Sequence, residues 1–278
     1  MTIKQFVKLA IAEDIKEGDH SALACIPKEA YGSAQLIVKE DGILAGVDLA
    51  EKIFNEFDSS FKFNKLIRDG EKVKIGDIAF KVHGGSIPLL GAERLVLNVM
   101  QRMSAIATLT NKYVKALEGL NTKVLDTRKT SPLIRFLEKE AVRIGGGVNH
   151  RYGLYDMIML KDNHNDFAGG IEKSIHKTIQ YLKENNLKLK IEVETRNLDE
   201  VKEVLKVGQI DRIMLDNFTY EQMRKAVKLI NGKYETEASG GINLKTVRKY
   251  AECGVDYVSV GALTHSVSNM DLSLKAIK

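Results

Sequence analysis

Beyond residue 105 the sequence alternates between short apolar runs and amphipathic stretches, and this alternation limits the fold more than any other feature. Six runs have the length and composition of buried strands: KVLDTR, YDMIMLKDN, LKIEVET, DRIMLDN, YETEASGG and VDYVSVGAL. Strands separated by helices at this spacing form parallel βα units. Because the runs are apolar on both faces, they favour a parallel α/β barrel. An open doubly wound sheet is the alternative, although no GxGxxG follows the first strand.

Helix-capping residues flank the stretches between the later strands. Each begins with an Asn or Thr side chain that can accept backbone N–H bonds and ends at a glycine. The predicted start and stop residues are Asn197 and Gly208, Thr219 and Gly232, and Asn243 and Gly254. These signals predict a helix after each of three strands.

The first part of the chain has a different, mixed pattern. Between about residues 30 and 82, SAQLIVKE and DIAFKVHG predict strands, and VDLAEKIFNEF predicts a helix. Residues 87–117 have apolar positions every three and four residues and predict one long helix. We therefore predict an N-terminal domain over residues 1–104, which the segment 267–278 could join, and a catalytic barrel over residues 105–266.

Composition excludes several classes of protein. The net charge is +5 and the pI about 8.9, but the lysines are dispersed and no basic stripe alternates with aromatic residues, so no nucleic-acid partner is expected. Two cysteines are too few for a disulfide framework or a zinc site, and they predict reduced thiols in a cytoplasmic protein. The opening MTIKQFVKLAIAEDI predicts a short amphipathic helix, not a secretion signal. No apolar run is long enough to predict a membrane span.

Polar residues or glycines follow each of the six predicted strands. In a parallel barrel the carboxyl ends of the strands form the active-site face. One polar residue there is expected wherever a strand reaches solvent, but six strands in succession favour a site. The strand-end residues are Asp126-Thr127-Arg128-Lys129, Lys161-Asp162-Asn163, Glu192 and Glu194, Asp216-Asn217, Ser239-Gly240-Gly241 and Val260-Gly261-Ala262.

Five cationic or ionisable residues near these ends predict a pocket for a small molecule with several negative charges. Arg128 and Arg151 can each bind a carboxylate or phosphate through two hydrogen bonds. Lys129 and Lys161 supply compact positive charge, and His150 can donate from either ring nitrogen. A solvated loop is the simpler interpretation of the His150-Arg151 pair. A Schiff base is an alternative role for Lys161.

Two carboxylates and two glycine turns complete the predicted face. Glu194 and Asp216 suit Mg²⁺ with a phosphorylated sugar, or the sugar hydroxyls directly, although balancing nearby lysines would also explain them. The turns Ser239-Gly240-Gly241 and Val260-Gly261-Ala262 let backbone N–H groups approach an anion, and phosphate commonly binds after the last barrel strands. These residues alone predict an α/β barrel enzyme for a carboxylate-rich or phosphorylated substrate and leave the reaction open.

The central motif, DTRKTSP…LEK.AVRIGGGVNHRYGL.D…LKDNH, closely resembles that of the quinolinate phosphoribosyltransferases, also called carboxylating nicotinate-nucleotide pyrophosphorylases. Further matches are EDIKEGDHS, AERLVLNVMQRMSAIAT, IEVET, IMLDNF, EASGGIN and VGALTHS, which cover nearly all 278 residues in the family's order. The resemblance implies an N-terminal α/β sandwich domain and an incomplete, seven-stranded α/β barrel.

The resemblance also implies an activity. The family transfers a phosphoribosyl group from phosphoribosyl pyrophosphate to the ring nitrogen of quinolinate, then decarboxylates the adduct to nicotinate mononucleotide, with release of pyrophosphate, in de novo NAD synthesis. Magnesium is required. The implied working unit is a cytoplasmic homodimer in which the N-terminal domain of one chain covers the barrel mouth of the other, and some members form hexamers. No membrane partner is expected.

Family roles carry over to matching positions of this sequence. Arg94, in the AER motif, matches an arginine that reaches into the partner's pocket. The positions that match the quinolinate pocket are Thr127, Arg128, His150, Arg151 and Lys161. The positions that match the phosphoribosyl pyrophosphate and metal site are Lys129, Glu194, Asp216, Ser239, Gly240, Gly261 and His265, with Gly241, Val260 and Ala262 in the same turns and Glu192 as a neighbour.

Four of these residues form the expected catalytic set. Departure of pyrophosphate leaves an oxocarbenium-like ribose, which Glu194 and Asp216 could stabilise. Loss of carbon dioxide from the ribosylated, positively charged ring leaves a carbanion. Lys129 or Lys161 could stabilise or protonate that carbanion, and the sequence does not decide between them.

The sequence departs from the family motif at a few positions, none of them an expected ligand. Ser131 and Leu133 replace a usual threonine and glycine, Ala105 replaces the glycine of a Ser-Gly pair, and Glu140 replaces a usual tyrosine. Leu133 puts the conformation of the loop after Lys129 in doubt, because glycine permits backbone angles that leucine disfavours.

Three alternatives remain open from the sequence. A paralogue associated with molybdenum transport shares the barrel and would be expected to lose part of the cationic set, especially Lys161. A barrel lyase would use Lys161 as a Schiff base. A metabolite-binding protein without catalysis need not keep both the cations and the acids.

Overall fold

A computed structural model describes residues 1–277 and divides into two compact units. The first contains residues 1–111, 131–146 and 266–277, and the second contains residues 112–130 and 147–265. In chain order the elements are α1 (Ile3–Asp14), α2 (His20–Cys25), β1 (Tyr31–Val38), β2 (Gly42–Ile43), α3 (Val47–Phe57), β3 (Lys62–Lys65), β4 (Lys72–Val73), β5 (Ile78–Gly85), α4 (Ser86–Ala116), β6 (Lys123–Leu125), α5 (Arg135–Ile144), β7 (Ile158–Leu160), α6 (Asp162–Ala168), α7 (Ile171–Glu184), β8 (Ile191–Thr195), α8 (Leu198–Val207), β9 (Arg212–Asp216), α9 (Tyr220–Ile230), β10 (Glu235–Ser239), α10 (Val247–Ala251), β11 (Tyr257–Ser259), α11 (Ala262–His265) and β12 (Leu272–Ile277).

The first unit is built on an antiparallel sheet with the strand order β12-β1-β5-β3. Strand β1 pairs with β12 and β5 at once, so that Leu36 lies opposite both Leu274 and Phe80. Alternate residues of β1 are buried, as expected of a sheet with one face on the core. On α3, the ring of Phe54 packs edge-on against Phe80 with centroids 6.1 Å apart. The predicted strands and helices of this region are confirmed.

Residues 131–146 lie in the first unit, whereas the prediction placed them in the barrel domain. An ion pair explains the difference. Arg102 of α4 donates through Nη2 to Oε1 of Glu138 on α5 at 2.7 Å, and Glu138 Oε2 accepts the Ser131 N–H at 3.1 Å. The same guanidinium donates to Val267 O at 3.3 Å, in the C-terminal segment that the sequence allowed to join this unit.

The second unit contains a parallel sheet of six strands in the order β6-β11-β10-β9-β8-β7. All six predicted strands are present, and β8 is buried along its whole length. From β7 to β11 each strand lies beside the next one in the chain, and β6 follows β11. A doubly wound sheet instead grows outward in two directions from a central pair, so that alternative is wrong. Val148 forms one parallel bridge with Leu125 at the free edge of β6.

The helices of the second unit begin largely where the capping signals predicted. Asn197 accepts the N–H groups of Asp199 and Glu200 at the start of α8, and Thr219 forms a capping box with Gln222 at the start of α9. Helix α10 differs, because Asn243 caps only a preceding turn and the helix begins at Val247. Within residues 1–277, no helix is long and apolar enough to cross a membrane.

Candidate active site

The carboxyl ends of the six parallel strands surround two adjoining cavities. We call them the inner cavity, of about 180 Å³, and the outer cavity, of about 680 Å³. Thr127, Lys129, Lys161, Ser239 and Ser259 line both. The inner cavity also receives the predicted residues Arg128, His150 and Arg151. The outer cavity also receives Glu194, Asp216, Gly240, Gly241, Gly261, Ala262 and His265.

The inner cavity is lined by cations. Arg151 donates through Nη1 to Met157 O at 3.1 Å, which fixes its guanidinium. Burial and the positive charge of Arg128 lower the pKa of Arg151, so the pocket concentrates positive charge that lacks full solvation. Lys161 Nζ lies 3.5 Å from Glu194 Oε2, and its side chain is 47% exposed. This arrangement suits a ligand with more than one carboxylate.

His150 lies on the inner cavity wall against two buried carboxylates. Its Nε2 is 2.9 Å from Glu192 Oε2 and 3.3 Å from Glu237 Oε2. Burial lowers the pKa of His150, but the hydrogen bonds and charges of Glu192 and Glu237 outweigh it and raise that pKa to about 9. On the backbone side, the N–H of His150 donates to Asp126 Oδ1 at 2.8 Å.

Arg212 of β9 completes this buried group. Its Nη1 donates to Glu237 Oε2 at 2.9 Å and its Nη2 to Glu235 Oε2 at 3.0 Å. Burial raises the pKa of Glu237, but His150 and Arg212 outweigh it and lower that pKa. Burial and the charge of Glu237 raise the pKa of Glu192 to about 7. Glu237 is therefore the more readily ionised of the two carboxylates.

The outer cavity carries the acids that could hold a metal ion. Glu194 is the penultimate residue of β8 and Asp216 is the last residue of β9, and the two strands are neighbours. Asp216 Oδ2 accepts from Asn217 Nδ2 at 2.6 Å, and Glu194 Oε1 accepts the Asp162 N–H at 3.4 Å. Oxygen donors from two carboxylates in a wide cavity fit Mg²⁺, which retains waters and is usually held together with substrate phosphates.

Two positions of the outer cavity must be glycine because neighbouring protein atoms lie close to them. Gly240 has φ +97°, and a Cβ there would lie 2.9 Å from the backbone nitrogen of Asn217. At Gly261 a Cβ would lie 3.0 Å from Lys129 Cδ and 3.1 Å from the His265 ring. Both positions therefore need glycine so that these side chains can pack beside the turns, and Lys129 is held near Gly261 by a bond from Thr264 Oγ1 to Lys129 O at 2.8 Å.

Two predicted residues lie outside both cavities. Val260 is buried in the core, and its N–H donates to Leu125 O at 3.0 Å, so it offers neither side chain nor N–H to a ligand. Arg94 lies on α4 in the first unit and lines a separate cavity there, of about 380 Å³. Neither the inner nor the outer cavity contains a residue of the first unit.

The sequence interpretation missed Glu237 and Arg212 and placed Glu192 beside Glu194 as a strand-end acid. Glu192 is instead fully buried and points at His150. A signal was present, because all three charges stand inside strands whose other residues are mostly buried, and a charge at such a position needs a partner. What the sequence lacks is which strands are neighbours.

The fold and the site together define a parallel α/β protein with a cationic pocket beside an acidic, glycine-lined one at its strand ends. Family models described as the N-terminal and C-terminal domains of quinolinate phosphoribosyl transferase match residues 19–104 and 106–275. The chain belongs to the quinolinate phosphoribosyltransferase family.

Similar proteins match nearly the whole length of the chain. A quinolinate phosphoribosyltransferase [decarboxylating] of Nicotiana tabacum, described as mitochondrial, is 46% identical over 98% of this chain and 82% of its own length. A probable nicotinate-nucleotide pyrophosphorylase [carboxylating] of Bacillus subtilis is 38% identical over 99% of this chain and 93% of its own. The crystal structure of NadC from Streptococcus pyogenes superposes with a TM-score of 0.93 at 38% identity, covering 99% of this chain and 97% of that one. These matches give no support to the molybdenum-transport alternative.

Proposed function

We propose that this chain transfers a phosphoribosyl group from phosphoribosyl pyrophosphate to quinolinate and decarboxylates the product to nicotinate mononucleotide. The observation that carries the proposal is the sharing of walls between a cationic cavity and an acidic, glycine-lined cavity. The first suits a pyridine dicarboxylate and the second suits a pyrophosphorylated sugar. The shared residues Lys129 and Lys161 then lie where the two substrates would meet.

Quinolinate binding is assigned to the inner cavity. Arg128 and Arg151 pair with the two carboxylates, because planar guanidinium groups bind carboxylates through two hydrogen bonds. Thr127 and His150 complete the wall. A monocarboxylate such as nicotinate would leave one cation without a partner, which disfavours it.

Phosphoribosyl pyrophosphate binding is assigned to the outer cavity. The backbone at Gly240, Gly241 and Gly261 receives phosphate oxygens. Glu194 and Asp216 would hold Mg²⁺ through water or substrate, and when bound the ion would neutralise the departing pyrophosphate. The same two carboxylates lie where positive charge develops on the ribose and stabilise it electrostatically.

The final proton transfer is assigned to Lys129 or Lys161. Both are shared by the two cavities, and Lys161 is already within ion-pair distance of Glu194. Single-turnover decarboxylation in Lys129→Met and Lys161→Met separates them. The variant that accumulates a ribosylated but not decarboxylated adduct identifies the donor, and unchanged rates in both would discard the assignment.

We also propose that the six-stranded sheet closes into an incomplete, seven-stranded barrel. The bridge of Val148 to Leu125 supports it, because Val148 extends the sheet by one position beyond β6. The first unit would correspond to the family's sandwich domain, with residues 131–146 included.

A homodimer in which Arg94 serves the partner's inner cavity is the proposed working unit, and hexamers remain open. Arg94→Ala and Lys161→Met should each be inactive alone. If the two variants are mixed and reassociated, one site per heterodimer is intact, so about a quarter of the wild-type turnover should return. No recovery from dimers shown to exchange subunits would contradict the proposal.

The decisive test is quinolinate consumption with phosphoribosyl pyrophosphate and Mg²⁺, followed together with carbon dioxide release. Equal consumption and release, with nicotinate inactive, is the expected result. The Schiff-base alternative requires trapping of Lys161 with borohydride and a carbonyl substrate. A half-exposed lysine paired with Glu194 lacks the desolvation that activates such an amine. The cytoplasmic location stays a prediction.

A further inference from the structure

A buried carboxylate, Glu237, lines a cavity that is otherwise built for anions, and a second, Glu192, lies behind it against His150. Glu192 and Glu237 are fully buried, and donor atoms of these two residues and of His150 lie within 4.8 Å of one another. Such charges repel an anionic ligand and are costly to desolvate. Their presence requires a compensating role.

The far side of Glu237 is fixed by Arg212. The guanidinium binds Glu237 and Glu235 together and lies 4.2 Å from the centre of the Tyr257 ring, which restricts its movement. The three side chains His150, Glu192 and Glu237 have the spacing of a metal site, but the guanidinium already neutralises Glu237 and opposes a divalent cation there.

The near side of Glu237 acts on the His150 ring. Nδ1 of His150 accepts the backbone N–H of Arg151 at 2.7 Å, and Nε2 faces the two carboxylates. With Nδ1 as an acceptor, the proton of the neutral ring is on Nε2. An imidazolium also has a proton on Nε2, but it must give up the bond from Arg151. Nε2 therefore carries a proton in either state and lies within ion-pair distance of both carboxylates.

We propose that Glu237, anchored by Arg212, is a positioning residue that holds the His150 ring in the wall of the inner cavity for recognition of the substrate carboxylate. Glu192 shares this task from β8. The proposal rests on the assignment of quinolinate to the inner cavity. It explains why an anion pocket keeps two carboxylates: they orient the groups that bind the ligand.

Glu237→Gln tests the proposal against simple electrostatics, with Glu235→Gln as the matched control. Glu235 is on the same strand and binds the same arginine, but it does not contact His150. Removing a negative charge from an anion pocket should by itself lower the KM for quinolinate. Positioning predicts the reverse: a KM raised at least about tenfold with a much smaller change in kcat and in the KM for phosphoribosyl pyrophosphate. Glu235→Gln should match the wild type.

A KM for quinolinate that falls or stays constant in Glu237→Gln would overturn the proposal. Failure of the proposed function would look different, because the wild type itself would not consume quinolinate. A second measurement does not depend on turnover. In the 278-residue chain with ¹⁵N-labelled histidine, the His150 signal, assigned with His150→Gln, should report a protonated Nε2. It should change in Glu237→Gln and not in Glu235→Gln.

An Nε2 without a proton in the wild type would reject the proposal even if Glu237→Gln did not fold. An unchanged His150 signal in a folded Glu237→Gln would reject it as well.

Discussion

The inner and outer cavities use charge in opposite ways. Around the inner cavity, His150, Glu192, Glu237 and Arg212 are buried and paired with one another. Around the outer cavity, the Lys161–Glu194 pair is longer, at 3.5 Å, and its lysine is half exposed. Buried ion pairs become strongly destabilising when one partner is lost, whereas exposed pairs contribute little. Loss of one member of the buried group should therefore destabilise the fold, whereas loss of an exposed charge should affect ligand binding at little cost in stability.

The largest expected effect is a difference in the free energy of unfolding between a variant of the buried group and a variant of an exposed charge. Arg212→Met leaves Glu192 and Glu237 short of positive charge in a buried place, and should lower the free energy of unfolding by about 3–5 kcal/mol. Lys161→Met removes an exposed partner and should cost at most about 1 kcal/mol, while abolishing turnover. Urea unfolding of both variants measures this. Equal losses of stability in the two variants would contradict the contrast between buried and exposed charges.

Two neighbouring glycines of the outer cavity allow a matched pair of alanine variants. Gly240 and Gly241 both have positive φ, at +97° and +60°, but only Gly240 has atoms close to an added Cβ. Both alanine variants must adopt a left-handed backbone conformation, so this cost is common to the two. Only Gly240→Ala also overpacks its surroundings, and it should therefore be the less stable variant by about 2 kcal/mol. The KM for phosphoribosyl pyrophosphate should rise most in Gly240→Ala. Equal melting temperatures and equal KM values would show that Asn217 yields without cost.

The pH dependence of stability probes the buried group directly. The pKa of His150 is raised from 6.5 to about 9 by the two carboxylates. Its stabilisation is therefore complete below pH 6.5 and is lost as the pH rises through 9. Because protonation also breaks the bond from Arg151, we expect a loss of roughly 1–2 kcal/mol over that interval.

Denaturant unfolding at several pH values measures this slope in the wild type and two variants. His150→Gln should flatten it. His83→Gln, which changes a histidine of the first unit that is hydrogen-bonded to Ser33, should leave it intact. A wild-type slope that survives in His150→Gln would assign the effect to other groups.

The sequence predicted the outer cavity better than the inner one, and the reason is geometric. Strand-end residues such as Asp216 and Gly240 are recognisable because they follow apolar runs, and parallel strands bring their ends to one edge. Glu237 and Arg212 instead stand within strands, where their partners lie on neighbouring strands. Only the strand order reveals that β8, β9 and β10 are adjacent.

The assignment of segments to the two units was also predictable only where it depended on local sequence. The long helix and the change of pattern near residue 105 were predictable, since both are local in sequence. The transfer of residues 131–146 to the first unit was not, because it depends on the pairing of Arg102 with Glu138 across 36 residues. Short-range patterns predicted the elements, and pairings of distant residues decided their grouping.

The smallest expected effect concerns Leu133, where the sequence departs from the family's usual glycine. Its φ is +66°, a left-handed conformation that costs leucine roughly 1–2 kcal/mol, and its side chain is 73% exposed, so little burial compensates. Leu133→Gly should relieve that strain but also lose about 0.5–1 kcal/mol through the greater freedom of the unfolded chain, which leaves a net gain of about 0.5 kcal/mol. Leu154→Gly is the matched control, because Leu154 is 68% exposed and is not among the positive-φ residues of the described chain. It should only lose stability. If thermal unfolding showed Leu133→Gly to be as destabilised as Leu154→Gly, the loop after Lys129 would be unstrained, and its conformation would depend on contacts that the leucine itself makes.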